Sequence, residues 1–155
     1  MSEKKPRNIF VEGPISSAFI ADSIQKHADK TGIGAHSIFL GQVRADIIEN
    51  KTVNSIEYTS YEEMAIEKMH EIRQAIFAKY PLICMHVYHS LGKVNAGEVS
   101  LFVFTSSKHR KEAIDACEET VERLKAELPV WGKEFFSSET TEANGDQSYQ
   151  WKENK

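Results

Sequence analysis

The chain has 155 residues, of which 41% are hydrophobic and 27% charged, and its formal net charge is −4. These values are ordinary for a globular protein, so we expect a single domain over residues 1–155 with residues 1–7 disordered. The acidic balance argues against a dedicated nucleic-acid binder, and no apolar run approaches the roughly 20 residues that span a bilayer. The first ten residues lack the apolar core of a secretory signal, so the cytoplasm is the expected location.

The N-terminal half alternates between strand and helix signals. Strands are predicted at residues 8–11, 35–44 and 53–59. Between the first two, apolar residues at helical spacing predict a helix that begins near Ser16 and ends at residues 31–34. Gly41 interrupts the second strand, which indicates a bulge or a close approach of the backbone. The polar residues 46–52 are predicted to form a loop.

The C-terminal half begins with Ser60 and Glu63, the S-x-x-E pattern of a capping box, which predicts a second helix ending before Pro81. A third helix is predicted at residues 109–128. Strands are predicted at residues 82–91, 98–106, 130–136 and 148–151, with a turn-rich segment at residues 142–146. Because strands and helices mix without strict βαβ alternation, we expect an α+β fold with a mixed or antiparallel sheet and two to three helices.

The cysteines and histidines show no metal-ligand spacing. Cys84 lies in an apolar run and Cys117 on an apolar helix stripe, so both are expected to be buried as small hydrophobes. His86 and His89 are three residues apart on a predicted strand, point to opposite faces and make a poor metal pair. We therefore expect no metal site, and sulfur chemistry here would draw its sulfur from elsewhere.

Residues 105–110, T-S-S-K-H-R, form a cationic cluster between a strand and the third helix. A helix N-terminus attracts anions through its unpaired N–H groups and partial positive charge. His109 and Arg110 add two donors beside it. The alternative interpretation is a serine N-cap followed by solvated charges.

Lys125 lies about 20° outside the apolar stripe of the third helix, at 100° per residue. Its stem is expected to follow packed surface, with the ammonium half sheltered. One interpretation is a surface lysine whose apolar stem is buried while the charge stays in water. The other is a lysine whose partial desolvation tunes it for proton transfer or nucleophilic chemistry.

Two further features carry positive charge. Residues 129–134, P-V-W-G-K-E, leave the third helix as a tight segment anchored by Trp131, which would place Lys133 near Lys125. The alternative is a surface turn with the tryptophan in the core. Arg44 ends a strand, and arginine suits bidentate binding of phosphate or carboxylate, although a structural role is the alternative.

These motifs occur in a definite order. They are G-x-V-R at residues 41–44, H-S-L-G at 89–92, G-E at 97–98, S-S-x-H-R at 106–110, L-K at 124–125, P-x-W at 129–131 and K-E at 133–134. Each is weak alone, but the ordered set resembles the large subunit of molybdopterin synthase over about residues 33–151.

That resemblance implies an α/β hammerhead-like domain that forms a homodimer and binds one small ubiquitin-like sulfur-carrier subunit per protomer, giving a heterotetramer. The thiocarboxylate at the carrier's Gly-Gly end would enter a pocket of the large subunit. Two sulfur transfers would convert cyclic pyranopterin monophosphate to molybdopterin, in molybdenum cofactor biosynthesis. The resemblance thus implies a sulfurtransferase that has no cofactor of its own and needs no catalytic cysteine.

The resemblance also assigns roles to residues. Lys125 and Lys133 match the family's catalytic lysines. Substrate-binding positions are matched by Gln42, Val43, Arg44, His109, Arg110, Gly132 and Glu134. The family commonly has two basic residues directly after the tryptophan, where this chain has Gly132 and Lys133. Either Lys133 takes the role from a shifted register, which glycine would ease, or the second lysine is missing; we favour Lys133.

The positions of His109 and Lys125 predict a composite site. They lie sixteen residues apart on one predicted helix, which separates them by roughly 24 Å. One chain cannot bring both into a single pocket. We therefore expect Lys125 and Lys133 from one subunit, with His109 and Arg110 from its twofold mate.

Two other functions were weighed against this one. A non-catalytic dimeric adaptor for a ubiquitin-like tail would keep the groove and the dimer but would not need Lys125. A nucleotide-binding enzyme lacks support, because the sequence contains neither a P-loop nor a GxGxxG motif.

Overall fold

The computed structural model describes residues 6–137 and 148–152. Residues 1–5, part of the segment expected to be disordered, and the turn-rich residues 142–146 lie outside the described residues. The helices are α1 (Ser17–Gln25), α2 (Glu62–Lys79) and α3 (Arg110–Glu127). The strands are β1 (Phe10–Glu12), β2 (Ala35–Gln42), β3 (Ile47–Ile48), β4 (Lys51–Ser60), β5 (Leu82–Asn95), β6 (Val99–Ser107), β7 (Val130–Ser137) and β8 (Tyr149–Trp151). None of the helices in these ranges is long and apolar enough to cross a membrane.

The strands form one mixed sheet in the order β2-β6-β5-β4-β7-β8. β1 joins β5 in parallel, β3 pairs with β4, and the other pairs are antiparallel. Helix α3 packs on β2 and β6, and α2 packs beside α3. The prediction of an α+β fold with a mixed sheet and two to three helices is confirmed.

Alternate residues of β6 face opposite sides of the sheet. Leu101 and Val103 contribute to the core beneath α2 and α3. Phe102 and Phe104 join Ile15 in a second core, against which the side chains of α1 pack. A third core lies under β4 and contains Val43, Val53, Ile56, Val94 and Phe136. The sheet is therefore covered on both faces, with α1 on one and the longer helices on the other.

Strand β5 belongs to both halves of the sheet. Up to His89 it pairs with β6, and from Gly92 onward it pairs with β4. Gly92 has φ +80°, which a residue with a Cβ adopts only with strain. The sequence predicts a strand that ends at residue 91, but the strand continues to Asn95. It continues because Val94 is buried in the third core.

Two local predictions are wrong and one is confirmed. Residues 46–52 form a hairpin instead of a loop, because Glu49 and Asn50 adopt positive φ and close a tight turn between β3 and β4. The capping box does not form, because Ser60 ends β4 and donates its hydroxyl to the Pro129 carbonyl at 2.9 Å. The bulge expected at Gly41 is present as a register shift between β2 and β6.

The change of partner at Gly92 predicts a stability effect. A Gly92→Ala substitution is expected to lower the free energy of unfolding by about 1–2 kcal/mol, because alanine is strained at this φ and its Cβ would lie 3.3 Å from a Glu12 carboxylate oxygen. Urea denaturation measures this loss. The matched control is Gly32→Ala, since a Cβ at Gly32 meets nothing within 4 Å. Equal effects of the two substitutions would contradict this account of Gly92.

Candidate active site

Lys125 lies in the last turn of α3. Its pKa is lowered, chiefly because the surrounding protein desolvates the ammonium, and also because the positive charges of Lys152 and Arg44 repel it. Glu122 acts in the opposite direction. The residue as a whole is nevertheless exposed. Of the two interpretations of Lys125, this environment favours the lysine tuned for proton transfer.

Arg44 follows β2 and is held near Lys125 by Asp46. The guanidinium makes two contacts with the carboxylate, Nε to Oδ1 at 3.2 Å and Nη2 to Oδ2 at 3.3 Å. The arginine side chain is 73% exposed. Because exposed ion pairs contribute little to stability, an anionic ligand can compete with Asp46 for this guanidinium.

His89 lies beside Lys125, on the part of β5 just before the partner change. Its pKa is lowered to about 4, chiefly by burial and also by the charge of Lys125, while a hydrogen bond to the Ser90 carbonyl acts in the opposite direction. The ring is therefore neutral near pH 7. Its Nδ1–H donates to that carbonyl at 2.8 Å, which leaves the lone pair on Nε2. The ring of Tyr58 meets it edge-on, with centroids 5.1 Å apart.

Gly132 and Lys133 lie on opposite faces of β7, because successive residues of a strand point to opposite faces. Gly132 pairs with Tyr58 of β4. A Cβ at Gly132 would lie 2.9 Å from Cγ2 of Ile56 and 3.3 Å from Cε1 of Tyr58. Position 132 therefore has no room for a lysine unless these side chains move. Glu134 is buried on the same face as Gly132 and accepts a hydrogen bond from a side-chain amide of β8.

Lys133 leaves β7 on the opposite face, across from Glu57. Its ammonium lies 3.7 Å from the ring centroid of Tyr149, 5.6 Å from that of Phe135 and 5.7 Å from that of Trp151. These distances are those of cation–π contacts. Three aromatic rings thus hold Lys133 on the face that turns away from Gly132.

Lys152 is a further member of this candidate site that no sequence motif indicated. Its backbone N–H donates to the carbonyl of Gly132 at 2.8 Å. Because Lys133 pairs with Trp151 in the antiparallel ladder, Lys152 lies opposite Gly132. Opposite residues on an antiparallel ladder share a face, so Lys152 lies on the Gly132 face. Among the charges that act on the pKa of Lys125, that of Lys152 has the largest effect. The aromatic strand just before Lys152 was visible in the sequence, but its pairing with β7 was not.

The remaining predicted site residues lie away from Lys125 or have their backbone groups engaged in hydrogen bonds. His109 and Arg110 are exposed at the N-terminus of α3, the end opposite to Lys125, as the spacing argument expected. Gln42 is exposed at the end of β2. Val43 is buried, its N–H donating to the Glu98 carbonyl at 2.9 Å and its carbonyl accepting from Gly97 at 2.8 Å. These two bonds fix the backbone that leads into Arg44.

Fold and site together define an α+β protein with an open cationic site at the end of a helix, suited to a small anionic ligand. Residues 13–127 match the sequence model of the family described as MoaE protein. The chain belongs to this family.

Curated relatives named molybdopterin synthase catalytic subunit include proteins of Drosophila willistoni and Pyrococcus abyssi. The first is 42% identical over 80% of this chain and 32% of the relative. The second is 34% identical over 84% of this chain and 81% of the relative. This chain spans about a third of the length of the Drosophila relatives.

Two solved structures are similar in fold. The molybdopterin synthase of Staphylococcus aureus superposes with a TM-score of 0.78 at 25% identity, covering 97% of this chain and 99% of the other. The complex of subunits 1 and 2 of the molybdopterin-converting factor of Helicobacter pylori gives 0.72 at 21% identity, covering 90% and 87%.

The coupling between Lys152 and Lys125 is measurable. A Lys152→Ala substitution removes a repelling charge, so the pKa of Lys125 should rise, yet stay below its ordinary value because desolvation is the larger effect. NMR titration of the lysine side-chain carbons measures it. Lys93→Ala is the control, since Lys93 pairs with Glu57 on the other face of the sheet. No change in the Lys125 pKa on removing Lys152 would contradict the proximity.

Proposed function

We propose that this chain is the catalytic subunit of a molybdopterin synthase. It would transfer sulfur from the thiocarboxylate of a small ubiquitin-like carrier subunit to cyclic pyranopterin monophosphate, forming the molybdopterin dithiolene. The observation that carries the proposal is the gathering of Lys125, Lys152 and Arg44 at the end of α3 in a chain of the MoaE family. The expected place of action is the cytoplasm.

The charges suit this reaction because both reactants are anionic. A phosphorylated pterin and a thiocarboxylate repel each other in a sheltered site, and positive side chains between them remove that barrier. The guanidinium of Arg44 suits the phosphate, since arginine offers paired donors to its oxygens. The ammonium of Lys125 would stabilise oxyanions that form during sulfur transfer.

Lys125 also suits proton transfer. Its lowered pKa brings the ammonium closer to the working pH, where a general acid is most effective. Attack of the thiocarboxylate sulfur on a pterin carbon would link carrier and pterin as a thioester, and Lys125 would protonate the departing oxygen. Hydrolysis of the acyl–sulfur bond would then leave the sulfur on the pterin and a carboxylate on the carrier.

For the second lysine we propose Lys152 ahead of Lys133. Lys133 was favoured from the sequence, and the aromatic rings around its ammonium now supply another role for it, that of tying β7 to β8. Lys152 lies opposite Gly132, where the family commonly has a basic residue, and acts directly on the pKa of Lys125. An ammonium can thus occupy the Gly132 face from the neighbouring strand.

The partner and the assembly follow the same proposal. One similar structure is a complex of subunits 1 and 2 of a molybdopterin-converting factor, which supports a partner subunit. We propose that this partner is small and that the assembly is a heterotetramer built on a homodimer. Since His109 and Arg110 lie at the far end of α3 from Lys125, the twofold mate would supply them to each site. Gln42, Val43, Gly132 and Glu134 would shape the remaining wall of that pocket.

Reconstitution tests the activity. The chain is combined with a thiocarboxylated carrier and cyclic pyranopterin monophosphate, and dithiolene product is measured. Lys125→Ala should lower product formation about 100-fold or more, because it removes a proton donor and an oxyanion partner, while carrier binding persists. Lys152→Ala should lower it more than Lys133→Ala. Lys68→Ala is the control, since Lys68 forms an ion pair with Glu71 on α2.

Full turnover by the Lys125→Ala protein would instead favour the adaptor interpretation, in which the chain only binds a ubiquitin-like tail. A larger loss from Lys133→Ala than from Lys152→Ala would restore Lys133 as the second lysine.

The composite site makes a separate prediction. Lys125→Ala and Arg110→Ala proteins should each be inactive alone, yet mixed dimers would contain one intact site made from both protomers. Random exchange of protomers should therefore restore about a quarter of the wild-type activity, measured in the reconstituted assay after co-expression or subunit exchange. Recovery no greater than the sum of the two variants would contradict a site shared between subunits.

A further inference from the structure

A second cluster of chemically active side chains lies away from Lys125, where the turn after α1 meets β5. His27 comes from this turn, and Cys84 and His86 are alternate residues of β5 on the face towards α1. One ligand atom from each of the three residues lies within 4.8 Å of the others. Nε2 of His27 is 3.1 Å from Nε2 of His86.

The hydrogen bonds of His27 aim a lone pair into this cluster. Its Nδ1 lies 2.8 Å from the carbonyl of Ser23, and because a carbonyl only accepts, Nδ1 carries the proton. Nε2 therefore faces His86 with its lone pair. A backbone carbonyl that fixes the second nitrogen in this way is the usual support of a metal-bound histidine.

His86 and Cys84 are also prepared for ligation. His86 is half-buried on β5, and its Nε2 lies against Nε2 of His27. Cys84 is 6% exposed and its sulfur accepts a hydrogen bond from the ammonium of Lys30 at 3.0 Å. Cysteine sulfur and imidazole nitrogen are the usual ligands of zinc in proteins.

We propose that His27, Cys84 and His86 bind a zinc ion, with water as the fourth ligand. Tetrahedral zinc, with bonds of about 2.0–2.3 Å, separates its nitrogen and sulfur ligands by about 3.3–3.6 Å. The 3.1 Å between the two histidine nitrogens is close to that value, so small side-chain rotations complete the geometry. Imidazole and thiolate ligands favour zinc over hard cations such as magnesium, and the ammonium of Lys30, which lies 3.0 Å from the sulfur, would turn away when the ion binds.

The role of this ion is structural. α1 has no fully buried residue of its own, so its attachment to the sheet depends on a few partly buried contacts. A zinc ion would join the turn after α1 to β5 directly. It would take no part in sulfur transfer, because His89, the site histidine on β5, is three residues from His86 and points to the opposite face.

Metal titration of the full chain tests the proposal. Cobalt(II), a spectroscopic substitute for zinc, should bind one ion per chain and give a thiolate-to-cobalt charge-transfer band that zinc abolishes. Cys84→Ser should lose the band, whereas Cys117→Ser should keep it. Cys117 is the matched control because it is also buried, but in the core beneath α2 and α3.

Thermal unfolding gives a second readout. Zinc at about 100 times its dissociation constant should raise the melting temperature of the wild-type chain by about 5–10 °C, and should not raise that of Cys84→Ser. Since a serine at this buried position can itself weaken the fold, His27→Gln serves as a second variant with the same expected loss. The proposal is overturned if the wild-type chain shows no charge-transfer band, or if Cys84→Ser and His27→Gln keep it.

Discussion

The arrangement of the whole sheet depends on the change of partner in β5 at Gly92. Residues of β5 before Gly92 contribute to the two cores beneath the helices, and residues after it contribute to the core under β4. The change brings His89 beneath the end of α3, with β4 and β7 alongside. The position of the cationic site is thus set by backbone geometry, because the charges themselves repel one another.

The charges of Lys152 and Arg44 repel that of Lys125, and this repulsion raises the free energy of the folded chain when no ligand is bound. The charged form of Lys125 would be more stable in open water, and its lowered pKa reflects desolvation first and this repulsion second. Groups of like charge persist where a ligand of opposite charge relieves them. The ion pair between Arg44 and Asp46 provides part of this relief within the chain itself.

Local periodicity predicted much of the fold. Ala65, Met69, Ile72 and Ile76 recur at helical spacing and are all buried in α2. Two predicted site residues, Lys125 and Arg44, lie close enough for the charge of one to act on the other. What failed was non-local. Ser60 resembles a helix cap in sequence, but it belongs to β4 and bonds to Pro129. Lys152 enters the site only through the pairing of β8 with β7, and His27 meets Cys84 only through the folded sheet.

The contact between Gly132 and Tyr58 links two positions that are far apart in the sequence. The phenol ring occupies the volume that a side chain at position 132 would need, and its hydroxyl is tied to Ser100 at 3.2 Å. Ile56 comes closer still, so a protein of this fold that carries a lysine at position 132 needs smaller or reoriented residues at both β4 positions. Replacing Gly132 alone would force its new side chain against two packed neighbours, so position 132 and these two positions of β4 constrain one another.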